Sequence, residues 1–249
     1  ANAPHSNGLD ANHLQLTDLK LKARNIHYKD PRLDLKLDEL AFKEQSGLEV
    51  ENLSGNLNLQ NGKAHLSGVK LKTSESELTT DIDLDLNAFD GANPGQLNTH
   101  IHGEVGKNDL MKVLGDLPKS FRKQWPNRPL ALDGEVQGNL EHLTLKDMHV
   151  VLPGAFDAKV NGFVANVNSK NDMKGDLRFD VKTQDAGFLN QLLDPSVRQT
   201  IQLPKGVAAS GRLRMDGTCY DADLNVRQSG GTLIGNVKYC QQRPTYSAN

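Results

Sequence analysis

The sequence predicts a mainly β protein, an elongated and curled antiparallel sheet built from repeats, with short helical insertions. Three observations carry that expectation. Apolar and polar residues alternate with period two along most of the chain. Turn chemistry punctuates the alternating runs. Aromatic residues are only 5% of the 249, and the apolar residues are mostly Leu and Val. That filler suits a thin object with one apolar layer better than a globule with a large aromatic centre.

Taken in order, the first stretch, "ANAPHSNGLDANH" (1–13), is small and polar and reads as a flexible terminus or linker of a longer protein. Residues 14–99 read as a β-repeat without a helix. Its alternation runs through Leu33, Leu35 and Leu37, then Leu57 and Leu59, then Val69 and Leu71, with turns at Lys29-Asp30-Pro31 and Asn61-Gly62. The run "TTDIDLDLN" sets Asp81, Asp83 and Asp85 between Ile82, Leu84 and Leu86. It begins like a calcium loop, but Leu86 stands where that loop needs Gly and no Glu closes it, so the aspartates are assigned to a solvated strand face.

Residues 100–176 read as a second β-repeat, with helical spacing near 107–125, Asn108 or Asp109 as N-cap and Pro118 opening a second helix. Residues 177–240 repeat the design, with a helical insertion near 184–201, Asp185 as cap and Asp194-Pro195 starting its second half. Residues 241–249 read as a flexible terminus. At an offset of 79, Gly55 matches Gly134, Leu57 matches Val136, Val69 matches Met148 and Leu71 matches Val150. A third copy opens at Gly211, 77 beyond Gly134.

The last hairpin can be read to register. With Ser229-Gly230 as the turn, Val226 faces Leu233, Leu224 faces Gly235, Ala222 faces Val237 and Tyr220 faces Tyr239. Cys219 then lies opposite Cys240 on the polar side, with Cα atoms about 4.5 Å apart, so the pair forms a cross-strand disulfide or two adjacent thiols. A disulfide favours an oxidising compartment.

Composition excludes several functions. The formal net charge is −2, and no basic field or recognition motif points to nucleic acid. The mean hydropathy is −0.56, and no apolar run approaches a membrane span. His100, His102 and Glu104 share one strand face and form the one candidate metal constellation, with a plain wet face as the alternative. His65, His142 and His149 sit singly at polar positions. Ser120-x-x-Lys123 lacks the companion motifs of serine acyl-enzymes, and no phosphate loop, dinucleotide fingerprint or catalytic triad motif is present. The expectation is a protein that is not an enzyme and needs no cofactor.

The dry side of the sheet is then the informative feature, because a sheet with one apolar side must bury it against something. Two short helical stretches are too few to cover it, so the sheet is expected to curl into a trough. The segment "VGKNDLMKVLGDLPKSFRKQWPNRPLALDGEVQGNLEHLTLKDMHVVLPGAF" resembles the AsmA/TamB-like repeat, and "RNIHYKDPRLDLKLDELAF…LEVENLSGNLNL" resembles that family's non-helical repeat. The resemblance spans about Leu14 to Tyr239. It implies a periplasmic segment of an inner-membrane-anchored protein of diderm bacteria, with a U-shaped sheet and a hydrophobic groove. It also implies phospholipid movement between inner and outer membranes, or support of outer-membrane assembly with a barrel protein as partner. Neither the family's N-terminal anchor nor its C-terminal partner-binding domain is recognisable, as expected of an internal segment.

On this reading acyl chains lie along Leu33, Leu35, Leu37, Leu57, Leu59, Ile82, Leu84, Leu86, Val160, Val164, Leu224 and Val226. The alternative is a structural or interaction module, whose apolar faces close into a dry core and which binds partners by edge-strand pairing.

Overall fold

Each alternating run becomes a strand, and each strand pairs with the next. The computed structural model describes residues 15–88, 93–114, 117–139, 141–167, 169, 171–192 and 205–240. In chain order the strands are β1 (Leu16–Lys29), β2 (Arg32–Glu44), β3 (Glu49–Gln60), β4 (Lys63–Thr73), β5 (Glu77–Asp85) and β6 (Leu97–Val105). Then follow the helices α1 (Lys107–Val113) and α2 (Lys119–Gln124), and the strands β7 (Leu130–Asn139), β8 (His142–Leu152), β9 (Phe156–Ala165) and β10 (Lys174–Thr183). A short 3-10 helix (Gly187–Leu192) precedes β11 (Ala208–Asp216), β12 (Cys219–Gln228) and β13 (Gly231–Cys240).

All thirteen strands form one antiparallel sheet in sequential order, and β1 does not meet β13, so the sheet is not closed. The fold is mainly β, as expected from the alternation. Among the described residues, contacts between elements run mainly from each strand to the next, and outside the sheet α2 meets the 3-10 helix.

Two features bend the strands. The first is a bulge repeated between the first two copies. Register shifts fall between Leu66 and Val69 in β4 and between Leu145 and Met148 in β8, the same positions at the offset of 79. The extra residue in each is left-handed, Gly68 at φ 58° and Asp147 at φ 49°. A bulge leaves its extra residue unpaired and bends its strand. Here each freed N–H is taken up by the next strand: Gly68 donates to Asp81 Oδ1 at 2.7 Å, and Asp147 donates to Asn161 Oδ1 at 2.7 Å. The third copy has no such bulge, since β12 pairs with β11 and β13 without a shift. The second feature is mid-strand glycine on the apolar side. At Gly134 (φ 148°) an added Cβ would lie 2.7 Å from Met148 Cα, and at Gly162 (φ 137°) 2.0 Å from Asp176 O. At both positions the neighbouring backbone closes against the glycine on that side.

The fully buried core is small and lies at one end of the strands. Met111, Phe121, Trp125, Leu130, Leu152, Ala155 and Phe188 form it, with the three rings of Phe121, Trp125 and Phe188 in mutual contact at 5.1 to 6.0 Å between centroids. Trp125, at the end of α2, is carried into it by the helices.

Several local expectations are corrected. Asn108 and Asp109 do not cap α1, whose N-cap is Gly106 without a side-chain bond. Asp109 instead turns inward, where Oδ2 accepts from the hydroxyls of Thr73 at 2.5 Å and Ser76 at 2.7 Å, pinning α1 on the β4–β5 turn. Of the second insertion, the described part is a 3-10 turn, and the expected start at Asp194-Pro195 lies outside the described residues, as do 1–14 and 241–249. The repeat boundaries at 99/100 and 176/177 fall inside β6 and β10.

Leu86 is not on a strand. β5 ends at Asp85, and Leu86 sits in the following turn at 59% exposure with its N–H bonded to Gly62 O, because the chain must leave the ladder there although the alternation continues.

Candidate apolar binding face

Pairing registers sort every strand residue onto one of two faces. One row can be followed residue to residue through twelve strands: Leu35, Leu57, Leu66, Ile82, Thr99, Val136, Leu145, Gly162, Leu177, Leu213, Ala222 and Val237. Partners directly opposite in an antiparallel pair point to the same side. This row is therefore one apolar stripe crossing the sheet. Its one polar member, Thr99, is satisfied within the stripe, with Oγ1 2.7 Å from Thr80 Oγ1. At about 4.8 Å per step between strands the stripe is on the order of 50 Å long.

The expected groove residues fall on this side. Leu33, Leu35 and Leu37 face Leu59, Leu57 and Gly55. Ile82 and Leu84 face Leu66 and Ala64. Val160 and Val164 face Phe179 and Gly175, while Leu224 and Val226 face Gly211 and Ala209. All are half-buried, and only Leu86 stands apart at the rim. These side chains shelter one another, and among the described residues no second layer covers them. Leu66, Leu97, Leu145 and Leu213 belong to the same face, although the sequence reading left them out. The bulges shift parity inside β4 and β8, so alternation counted from one end of those strands misplaces the other end.

The opposite face is a polar row along the same path: Asp34, Asn58, His65, Asp83, Asn98, Gln137, Thr144, Phe163, Asp176, Arg214, Asp221 and Lys238. Phe163 is its one apolar member and is covered by His142, stacked at 4.6 Å. The aspartates of "DIDLDL" belong to this face. Asp81 closes the bulge, Asp83 takes His65 Nδ1 at 2.5 Å, and Asp85 takes the Gln96 N–H at 2.9 Å and pairs with Lys63 at 3.0 Å. The Gln96 N–H, then Lys63, hold the Asp85 carboxyl below its usual range.

The candidate metal residues do not converge. His102 Nδ1 lies 2.7 Å from Asp133 Oδ2 and His100 Nε2 lies 3.7 Å from the same oxygen, while Glu104 faces Glu77 and Ala131 further along β6. Among the described residues no group of three or more His, Cys, Asp or Glu side chains could hold an ion. The hydrogen bond from His102, then the charge of His100, lower the Asp133 pKa. His149 is likewise not alone, pairing with Asp157 at 2.9 Å. Ser120 and Lys123 are exposed on α2.

The terminal hairpin has Val226 facing Leu233, Tyr220 facing Tyr239, and Cys219 facing Cys240 on the polar side, joined as a disulfide with Cα atoms 4.0 Å apart.

A cleft of about 540 Å³ lies along the polar row where the strands end opposite the helices, with Asn58, Lys63, His65, Asp83, Asp85 and Asn98 in its lining beside Ala64, Leu84 and Leu97. No helix among the described residues is long and apolar enough to cross a membrane. Comparison with protein-family models, curated proteins and solved structures found no match to this chain.

Proposed function

We propose that this chain is a non-enzymatic lipid-holding segment, whose apolar face takes the acyl chains of phospholipids. The observation that carries the reading is the uncovered apolar row from Leu35 to Val237, continuous across strand after strand. Each methylene moved from water onto such a face is worth about 0.8 kcal/mol, so chains are held without specific polar contacts and can slide along the stripe. The resemblance to AsmA/TamB-like proteins agrees with this chemistry. On that basis the segment belongs to an inner-membrane-anchored periplasmic protein and serves phospholipid transport between the membranes or outer-membrane assembly beside a barrel protein. The Cys219–Cys240 disulfide fits an oxidising compartment.

The test is lipid extraction and mass spectrometry on the chain purified from a Gram-negative periplasm, with Leu84→Glu alongside. In an open groove the new carboxylate reaches water, and the loss is part of one leucine's burial, about 1–2 kcal/mol. The variant then stays folded and loses its lipid. In a closed core the same change buries a charge and unfolds the sheet. Lipid-free wild type, or a Leu84→Glu protein that fails to fold, would sink the proposal.

A further inference from the structure

The lipid reading uses one face of the sheet, and the cleft of about 540 Å³ lies on the other. It opens over β3 to β6, strands that are each paired on both sides. The pairing is unbroken beneath it: Asn58 faces His65, Lys63 faces Asp85, His65 faces Asp83, and Asp83 faces Asn98. The backbone N–H and C=O groups there are taken up in the ladders, so side chains are what a ligand meets.

The charged side chains of the cleft answer one another. Lys63 Nζ lies 3.0 Å from Asp85 Oδ1, and His65 Nδ1 lies 2.5 Å from Asp83 Oδ1. What remains is neutral. Gln60, Gln96 and Asn98 are exposed, and their side-chain amides make no hydrogen bond to another described residue. Each amide offers two N–H donors and an acceptor oxygen. Asn58 and His65 also line a second cleft, of about 280 Å³, with Asn56 and Ser67, so the amide-rich surface is elongated across the strands.

We propose that the polar face over β3 to β6 binds a neutral glycan chain laid across the strands. Unpartnered amides beside matched ion pairs select an uncharged ligand whose groups donate and accept alike, which is what sugar hydroxyls do. The row Asn58, His65, Asp83 and Asn98 advances about 4.8 Å per strand. That step is close to the advance per sugar of an extended polysaccharide, so each rung meets one sugar. An extended polypeptide is disfavoured, because it joins a sheet through backbone bonds at an edge, and β3 to β6 present none. The four strands are interior to the sheet, so the site is the same whatever flanks β1 and β13. It is separate from the apolar face and does not depend on what that face holds.

Isothermal titration calorimetry with cellotetraose and with chitotetraose tests it, on the purified chain and on the double variant Gln96→Ala/Asn98→Ala. Neither side chain is bonded to another described residue, so the double variant is expected to keep the wild-type melting temperature. The expected result is binding of at least one tetrasaccharide, weakened about tenfold or more in the double variant. Added salt should leave the affinity unchanged, since no net charge is exchanged. Lys182→Ala, on the same face of β10 and outside the cleft, should also leave it unchanged. No binding of either sugar at the highest soluble concentration overturns the proposal. So does binding that a folded double variant retains in full, or that falls steeply with salt, which would mean recognition of charge. Tighter binding of a neutral Ser-Gly peptide than of either sugar would assign the cleft to polypeptide and overturns it too.

Discussion

Gly162 and Gly235 both lie on the apolar face, and replacing each by alanine separates curvature from mere sheet propensity. Gly162, in β9, faces Leu145 and Leu177 and has φ 137°. A Cβ there would sit 2.0 Å from the carbonyl oxygen of Asp176 and 3.0 Å from Leu177 Cα. These are backbone atoms held in the β9–β10 ladder, so no side chain can swing aside. Forcing a methyl into a filled site costs about 1–3 kcal/mol. Holding a non-glycine residue at that φ costs of order 1–3 kcal/mol more. The expected loss is about 2–6 kcal/mol, or roughly 5–20 °C in melting temperature for a chain of this size. Gly235 has no heavy atom within 4 Å of its would-be Cβ, and its φ is not in the left-handed region. Alanine there should change stability by less than about 0.5 kcal/mol. Urea denaturation followed by circular dichroism measures both. Equal effects at the two sites, or a Gly162→Ala loss below about 1 kcal/mol, would refute the claim that neighbouring strands converge on the apolar side.

Two further outcomes follow from the polar face. Asp176, held by the Arg212 guanidinium, and Asp221 and Asp223, held first by Asn236 and then by Arg214, all have carboxyl pKa values below their usual range. A lowered folded-state value means stability present above the ordinary carboxylate pKa, near 3.9, and lost as pH falls through the lowered values. Thermal melts should therefore be flat from neutrality to about pH 5 and fall below it, and Asp176→Asn should make that fall shallower. Separately, Cys219→Ala with Cys240→Ala removes a bridge of sequence separation 21, worth about 3 kcal/mol by loop entropy. Hydrogen exchange should then report early opening of β12 and β13 with β2 to β10 unchanged; uniform loosening would count against a local role.

Much of this molecule follows from local sequence. Period-two alternation is enough to make strands, and a strand has only two faces, so Leu33, Ile82, Val160 and Leu224 share a side as soon as the strands pair in order. Asn61-Gly62 fixes its hairpin because both residues sit at positive φ, 50° and 74°, and the Ser229-Gly230 turn set the Cys219–Cys240 register. What the tertiary structure decided is everything that needs a neighbour distant in sequence. Asp109 reads as a helix cap until Thr73 and Ser76 arrive from the β4–β5 turn to hold it inside. The bulges at Gly68 and Asp147 depend on acceptors from Asp81 and Asn161 on the following strands, and they reverse the parity that alternation alone would assign. The rim position of Leu86 and the half-burial of the groove are likewise properties of assembled strands. Side-chain pattern is local, whereas curvature, closure and edge exposure depend on how backbones approach one another.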